Sequence, residues 1–457
     1  MATPLDVVVL AAGKGIRMRS RIPKVLHPLA GLPLLEHVLR TAASLSPTKI
    51  TVVIGPGGDS LREAFPEWDL EFVDQGEPLG TGHAVLAARP AISSPAFLVL
   101  PGDVPLVPRE ALQALMDFHR SRGLLASFLS VELPDPEGCG RVVRREGRAV
   151  RIVEAREASP EELSIREVNS GIWCLANTAE LWRALQELPP YGVQGEHCLT
   201  DLVERLAEEG LVDALPWPQA EDLLGVDDRA DLARLEGILR DRITTRLLRE
   251  GVSIPDPGAV YLSPDVEVGP DTVLQPGTHL LGRTAVGEGC RIGPGAWLID
   301  SRVGDGARVW FSVMEGAQVE EGAQVGPYAH LRPGARVGAW ARVGNFVEVK
   351  NARLGEGVKA GHLAYIGDAE VGPHANIGAG AITCNYDGVR KQRTEIGPGA
   401  FIGSNSALVA PVRIGEGAYI GAGSVITEDV PPHALALARA PQSIKPDWAK
   451  TRREGRA

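Results

Sequence analysis

The chain has 457 residues, of which 44% are hydrophobic and 23% charged, and carries a formal net charge of −11. That length implies two or three domains with ordinary buried cores, and the acidic balance argues against a basic face for duplex nucleic acid. Five scattered cysteines without a C-x-x-C pair argue against a disulfide framework or a thiolate zinc site, and no apolar run reaches the roughly 18 residues of a membrane helix. A reducing cytoplasmic setting without membrane or nucleic-acid partners is therefore expected.

No basic segment or cleavage site precedes Asp6, so DVVVLAA reads as a first core strand and not as a signal peptide. VVVLAA (7–12), KITVVIG (49–55), AFLVLPGD (96–103) and LLASFLSVEL (124–133) are strand candidates rich in Val, Leu and Ile. LPLLEHVLRTAASL (32–45) and REALQALMDFHRSRG (109–123) show helical spacing of apolar residues. This alternation over residues 1 to about 226 predicts a mostly parallel sheet covered on both faces. A strand that runs into glycine at the edge of such a sheet is where anions bind. Gly13 and Gly15 let backbone N–H groups approach a phosphate, with Arg17 and Lys24 as counter-charges. The loop is neither GxxxxGK[ST] nor GxGxxG, and its spacing fits a surface turn with solvated basic residues equally well. LVLPGDVPL (98–106) ends a predicted strand in Gly102 and Asp103, a place for a carboxylate to hold Mg²⁺ against substrate phosphates. An Asp in an ordinary turn is the commoner role. QGEPLGTGHA (75–84) gathers Gln75, Gly80 and Thr81 in a loop suited to presenting amide edges to a base.

Residues 228–250 read as one amphipathic helix, with Leu232, Leu235, Leu239, Ile243 and Leu247 at three- and four-residue steps and Gly251 as its stop. Beyond it, apolar residues recur every six positions: Val268 to Leu298, again Val319 to Val349, and again Ile396 to Ile426, often followed by Gly. Six is the period of a parallel β-helix whose turn contains three short strands. The phase breaks between Ile382 and Ile396, at CNYDGVRKQRTE, which predicts a loop leaving one face. The polar and basic end, QSIKPDWAKTRREGRA, predicts a mobile arm.

Residues 331–388 are far richer in polar and basic groups than the neighbouring hexads. His362 is a candidate general base there, since an imidazole suits deprotonation of a sugar ammonium, although a lone histidine on a coil surface is more often structural.

Together, LAAGKGxRM, PKVLHPLAGLPLLEHV, QGEPLGTGHA and PGDVPL resemble the sugar-1-phosphate nucleotidyltransferases of the glycosyltransferase-like Rossmann type. With GRVVR, IVEA, EVNSG, GEHCLTD and the hexads, the resemblance narrows to the bacterial bifunctional N-acetylglucosamine-1-phosphate uridyltransferase / glucosamine-1-phosphate N-acetyltransferase family, over about residues 5 to 448. It implies a uridyltransferase domain over 1–227, a connecting helix over 228–250, a left-handed β-helix N-acetyltransferase domain over 251–437 and an arm over 438–457. It implies that Leu10, Ala11, Ala12 and Gly13 bind the nucleotide of UTP, that Lys24 contacts phosphate beside Arg17, and that Gln75, Gly80 and Thr81 read uracil. Gly102, Asp103 and Asp227 then also contact UTP and UDP-N-acetylglucosamine, Gly140, Glu154 and Asn169 bind the sugar, and Asp103 with Asp227 holds Mg²⁺. His362 becomes the acetyl-transfer base. Arg332, Lys350, Tyr365 and Asn376 hold glucosamine-1-phosphate. Ala379, Asn385, Tyr386, Ser404, Ala422 and Arg439 line the acetyl-CoA slot, with Asn385 and Tyr386 closing the site. A homotrimer with acetyl-CoA between neighbours is implied by analogy, as is a product that feeds peptidoglycan and lipopolysaccharide synthesis. The chain departs from the family in having Asp227 for Asn, Pro101 where some members carry Tyr, and Ile16 for Thr.

Three other readings predict different things. A single-activity sugar nucleotidyltransferase with an oligomerising β-helix leaves His362, Asn385 and Tyr386 without work. A non-catalytic scaffold of the same two-part layout has no need of Asp103 with Lys24. A metal-dependent hydratase of carbon dioxide would use His330, His362 and His374 as ligands and leave the first half idle.

Overall fold

The run Asp6–Leu10 becomes the centre of a parallel sheet because it has partners in register on both edges: Leu10 lies opposite Val53 on one side and Pro101 on the other. The computed structural model describes residues 4–13, 15–136, 138–190 and 196–455; Lys14 of the glycine loop and Gly195 of GEHCLTD lie outside them. Strands Lys49–Ile54 and Glu71–Asp74 extend the sheet on the first side. Ala96–Pro101, Glu167–Ala176, Ala126–Glu132 and Val212–Pro216 extend it on the other. Glu167–Ala176 runs antiparallel to both its neighbours, and the antiparallel hairpin of Arg141–Arg145 and Arg148–Val153 pairs with it. Alternate residues of the central strand enter different cores. Val7 and Val9 pack with Leu35, Val38 and Leu112, and Val8 packs with Val85, Phe97 and Leu181. A strand buried on both faces needs an unbroken apolar run, and each fully buried Val or Leu contributes about 1.5–3 kcal/mol.

Two details differ from the sequence reading here. Leu32–Pro33 is not helical but forms a two-stranded ribbon with Pro28–Leu29, and the helix spans Leu34–Ser44, since a residue before proline is driven out of the helical region. Pro101 leaves no gap in the ladder. Gly102 N–H makes the bond to Leu10 O (2.9 Å), and Pro101 faces Gly171, where strand Glu167–Ala176 shifts register between Asn169 and Trp173.

The chain forms two compact units, Met1–Leu239 and Arg240–Ala457. Helix Arg229–Arg249 crosses from one to the other, burying Leu235 in the first and Ile243 and Leu247 in the second. The second unit is a three-sided parallel β-helix, with sheets of 10, 9 and 10 short strands built from successive turns. Every hexad apolar residue named above is buried. Between Leu298 and Val319 the inward positions are Val303, Val309 and Met314, so the slip is a set of shortened sides and the stacking continues through it. The phase break begins one residue later than expected. Thr383 takes the inward place opposite Leu408 and is 4% exposed, while Ile382 points outward and is 46% exposed. A threonine is tolerated inside because its hydroxyl donates to Gly367 O (2.9 Å) and accepts from Gly367 N (2.7 Å). The chain then leaves the helix over 385–393 and rejoins it at strand Thr394–Ile396. Past Ala436 the chain is exposed and ends in the short helix Trp448–Glu454.

His119 lies buried in helix Arg109–Arg122 against the Ser127 hydroxyl (3.1 Å), and burial pushes its pKa down to about 4. Between that value and the ordinary value near 6.5, the unfolded chain binds a proton that the folded chain does not. The contribution of His119 to stability is therefore complete above pH 6.5 and falls as the pH drops toward 4, by on the order of 3 kcal/mol. His119→Gln should flatten this slope in urea unfolding of the first unit; an unchanged slope would assign the acid sensitivity elsewhere.

Candidate active sites

Reversal of strand order on either side of Asp6–Leu10 opens a crevice at the carboxyl edge of the sheet, the usual place for a ligand in such folds. The segment Leu10 to Gly13 and the pair Gly102–Asp103 emerge there together, because Ala11 N–H bonds Val53 O (2.8 Å) and Gly102 N–H bonds Leu10 O. Gly15 takes a left-handed φ of 56°, and a Cβ there would lie 2.6 Å from Cβ of Lys24. The turn is thus closed on the short helix that carries Lys24. Lys24 Nζ is bonded to both Asp103 and Asp227, the latter at 3.2 Å, and Arg17 pairs with Asp227 at 2.8 Å. The two carboxylates raise the Lys24 pKa, against the opposing effect of burial. Asp227 is brought beside Asp103 through Val226 N–H, which bonds Asp103 O (2.9 Å). Two carboxylates that already share one cation form a hard-oxygen donor pair of the kind Mg²⁺ uses together with phosphate oxygens. Among the described residues there is no cluster of three or more His, Cys, Asp or Glu fit to hold a metal alone.

Gln75 is buried, and its amide nitrogen donates to Gly80 O (3.2 Å) and contacts His83 Nδ1 (3.3 Å). The loop is clamped from the other side: His197 N–H bonds Leu79 O (2.7 Å), and Leu199 N–H bonds the Thr81 hydroxyl (2.9 Å). Gly140, Glu154 and Asn169 also converge. Asn169 N–H bonds Gly140 O (3.0 Å), and a Cβ on Gly140 would lie 3.3 Å from Glu154 Oε1. Burial first, then the Asp201 carboxylate, holds the Glu154 carboxyl above its usual range.

In the second unit, the corner joining the third sheet to the first carries one residue of interest per turn. Asn345 and His362 lie in register, and Ala379, Ser404 and Ala422 precede the equivalent left-handed corner positions on the next three turns. Arg439 donates to Ala422 O (3.0 Å) at the end of this row. His362 Nδ1 bonds Asn345 Oδ1 (2.5 Å). Since that oxygen only accepts, Nδ1 is the donor in this contact, and in the neutral ring the lone pair then falls on Nε2. Across the first sheet stand Arg332, Lys350 and Tyr365. Arg332 pairs with Glu348 (2.8 Å), and the Tyr365 ring lies over Gly367. The Lys391 ammonium, with Arg332 behind it, lowers the Lys350 pKa. Asn385 and Tyr386 stand at the far corner of this face, not in the His362 row. Asn376 lies on the third sheet, opposite Lys359. His330 pairs with Glu315 and His374 covers Gly357, so His330, His362 and His374 do not gather as a ligand set.

Sequence reasoning missed Asn345, Lys391 and a polar anchor under the Gly140, Glu154 and Asn169 cluster. Glu167 accepts from Nε and Nη2 of Arg144 (2.7 and 2.6 Å). Asp213 accepts from Arg122 (2.7 Å) and from Ala149 N–H (3.1 Å). Together they pin the hairpin that follows Gly140. Asn345 was findable: it lies 17 positions before His362, one turn of the β-helix.

Residues 7–208 match the MobA-like NTP transferase domain, and residues 316–351 and 393–428 match the bacterial transferase hexapeptide (six repeats). The hexapeptide match identifies the second unit as a left-handed parallel β-helix beside a Rossmann-like α/β unit. The chain is 46% identical to the bifunctional protein GlmU of Brevibacillus brevis, over 99% of both chains. It is 50% identical to GlmU of Azotobacter vinelandii over 98% of both chains, and 49% identical to GlmU of Thermus thermophilus over 95% of this chain and 96% of that one.

Gly80 has a φ of 100°, and a Cβ there would lie 2.5 Å from the His197 carbonyl oxygen. Gly80→Ala should therefore cost about 3 kcal/mol and spring the loop from its clamp. The expected readout is a lowered melting temperature together with weaker UTP binding in calorimetry; wild-type values in both would mean that the clamp yields freely.

Proposed function

The chain belongs to the GlmU family, and on that premise we propose that its two units catalyse consecutive steps in making UDP-N-acetylglucosamine. The second unit acetylates glucosamine-1-phosphate from acetyl-CoA. The first then transfers UMP from UTP to N-acetylglucosamine-1-phosphate and releases pyrophosphate. The observation that carries this reading is the presence, in one chain, of the Lys24–Asp103–Asp227 cluster at the sheet crevice and of the Asn345–His362 pair on the β-helix corner.

In the acetyl transfer, Nε2 of His362 takes a proton from the sugar ammonium. The freed amine attacks the thioester carbonyl, the C–N bond forms, the C–S bond breaks, and the second proton lost by the nitrogen passes to the departing thiolate to give CoA thiol. Asn345 holds the imidazole in the tautomer this requires. Arg332, Lys350, Tyr365, Asn376 and Lys391 hold the sugar phosphate. Ala379, Ser404, Ala422 and Arg439 line the acetyl-CoA path, and Asn385 and Tyr386, at the opposite corner of the face, close the site from the side of the loop. In the uridylyl transfer, a phosphate oxygen of the sugar attacks the α-phosphate of UTP in line, and the bond to the β-phosphate breaks without a covalent enzyme intermediate. Leu10 to Gly13 and Gly102 approach the nucleotide with backbone groups. Gln75, whose donors are spent on Gly80 and His83, accepts from uracil with Oε1, beside Gly80 and Thr81. Gly140, Glu154 and Asn169 orient the sugar. Arg17 and Lys24 neutralise charge on the departing pyrophosphate. Asp103 and Asp227 would hold Mg²⁺, which supplies further charge neutralisation at the phosphates. The enzyme works in the cytoplasm as a homotrimer in this reading.

A mixture of glucosamine-1-phosphate, acetyl-CoA, UTP and Mg²⁺ should yield UDP-N-acetylglucosamine by mass; no product, even from N-acetylglucosamine-1-phosphate, would sink the proposal. His362→Ala should lower CoA release by about 10²–10⁴-fold and leave uridylyl transfer intact, with Asn345→Ala intermediate. Asp227→Asn removes one of two metal-facing charges, so Mn²⁺ affinity read by electron paramagnetic resonance should fall about tenfold. Unchanged Mn²⁺ binding would remove Asp227 from the metal site.

A further inference from the structure

The 385–393 excursion has to leave a solenoid and return to it in register, and one residue meets both of its ends, with its side chain at the exit and its backbone carbonyl at the return. Asp368 sits at the corner after the first sheet with a left-handed φ of 46°, a conformation that Asp tolerates better than most residues. Its backbone N–H bonds Lys350 O (3.0 Å) on the turn before, and its carbonyl accepts from Thr394 N–H (3.2 Å), where the excursion rejoins the sheet. Its carboxylate reaches two amides, Asn351 Nδ2 from the preceding turn and Asn385 Nδ2 at the exit, each at 2.5 Å. Asn385 is only 8% exposed, and its carbonyl accepts from Gln392 N–H (2.8 Å), closing the base of the loop. Within the loop, Tyr386 pairs with Lys391, and the Asp387 carboxylate accepts from Val389 and Arg390 N–H (2.8 and 2.6 Å). The loop is thus bonded within itself, and the side-chain tie from its exit to the neighbouring turn is the Asp368 carboxylate. What it carries is Lys391, whose ammonium stands against that of Lys350, with Arg332 close by. Like charges this close repel unless an anion joins them.

We propose that Asp368 is a positioning residue for acetyl transfer, whose carboxylate ties down the 385–393 loop so that Lys391 and Lys350 together receive the phosphate of the amino-sugar substrate. The proposal rests on the acetyltransferase reading of this unit. Asp368 touches neither the amine nor the thioester, so it is not catalytic. Its own charge also works against an incoming phosphate, which makes the sign of its effect diagnostic.

If Asp368 acted only through its charge, Asp368→Asn would lower KM for glucosamine-1-phosphate. If it positions the loop, the same change should raise that KM about tenfold or more, with kcat altered less than about threefold and uridylyl transfer untouched. Asn351→Ala, which loses the other half of the carboxylate's bonding and leaves the loop's foot in place, should stay within about twofold of the wild type; this separates positioning from general support of the coil. Trypsin should cut at Arg390, Lys391 and Arg393 faster in Asp368→Asn than in wild type or Asn351→Ala. Should Asp368→Asn fold poorly, Asp368→Glu keeps the charge and loses the two-sided reach, and the same rise in KM and in cleavage is expected. A KM that is unchanged or lowered, or cleavage at the wild-type rate, overturns the proposal. If the wild-type protein itself lacks acetyl transfer, the functional reading fails instead, and the trypsin comparison still decides whether Asp368 holds the loop.

Discussion

Each turn of the second unit is held by the turns before and after it, through backbone bonds that run along the helix axis and through one inward side chain per strand. Such a structure has no other core to fall back on. An inward residue of the wrong size is felt at once, because a narrow interior has no room to repack. That constraint explains why the hexad positions named above keep apolar residues, and why the polar Thr383 is matched by two bonds to Gly367. It also explains the corners. Phe311, Tyr328 and Phe346 accept left-handed φ values of 45–60°, unusual for bulky residues, in successive turns. Their rings stack at 5.8 and 5.5 Å, which offsets part of that strain.

The first unit obeys a different constraint, the register of three parallel strands. Because the central strand Asp6–Leu10 pairs in step with Ala96–Pro101, the segments that follow these two strands emerge side by side, and Val226 brings Asp227 to the second of them. Lys24 joins them by bonding the two carboxylates. Asp227 brings a second carboxylate to this group, and Arg17 answers its charge. Pro101 is accommodated by the same economy, since the ladder needs the N–H of Gly102 at that point, not that of residue 101.

Much of this was legible in the sequence, for identifiable reasons. Period six survives because inward positions cannot drift, so the β-helix was readable over most of its length. The opening strand and its glycine loop were readable because a strand buried on both faces shows an unbroken apolar run. Neighbours created by the fold were not readable. Lys391 meets Lys350 across an excursion, and Arg144 meets Glu167 across a sheet; no local pattern marks either pair. Asn345 fell between these cases, hidden by distance in sequence yet exposed by the repeat. The one-residue error at Ile382 arose because a small polar side chain took the inward place, which an apolar pattern cannot register.

The row Asn345, His362, Ala379, Ser404 and Ala422 turns the solenoid into a ruler. Neighbouring members are one turn apart, about 4.8 Å, so Ala422 stands about 14 Å from His362. That length is graduated: it can change only by whole turns. Residues inserted within a turn, as at 385–393, are expelled sideways and leave the scale unmoved. A long, extended ligand laid along this corner therefore meets its far contact at a distance fixed by the number of turns, while the loops beside it remain free to vary in length.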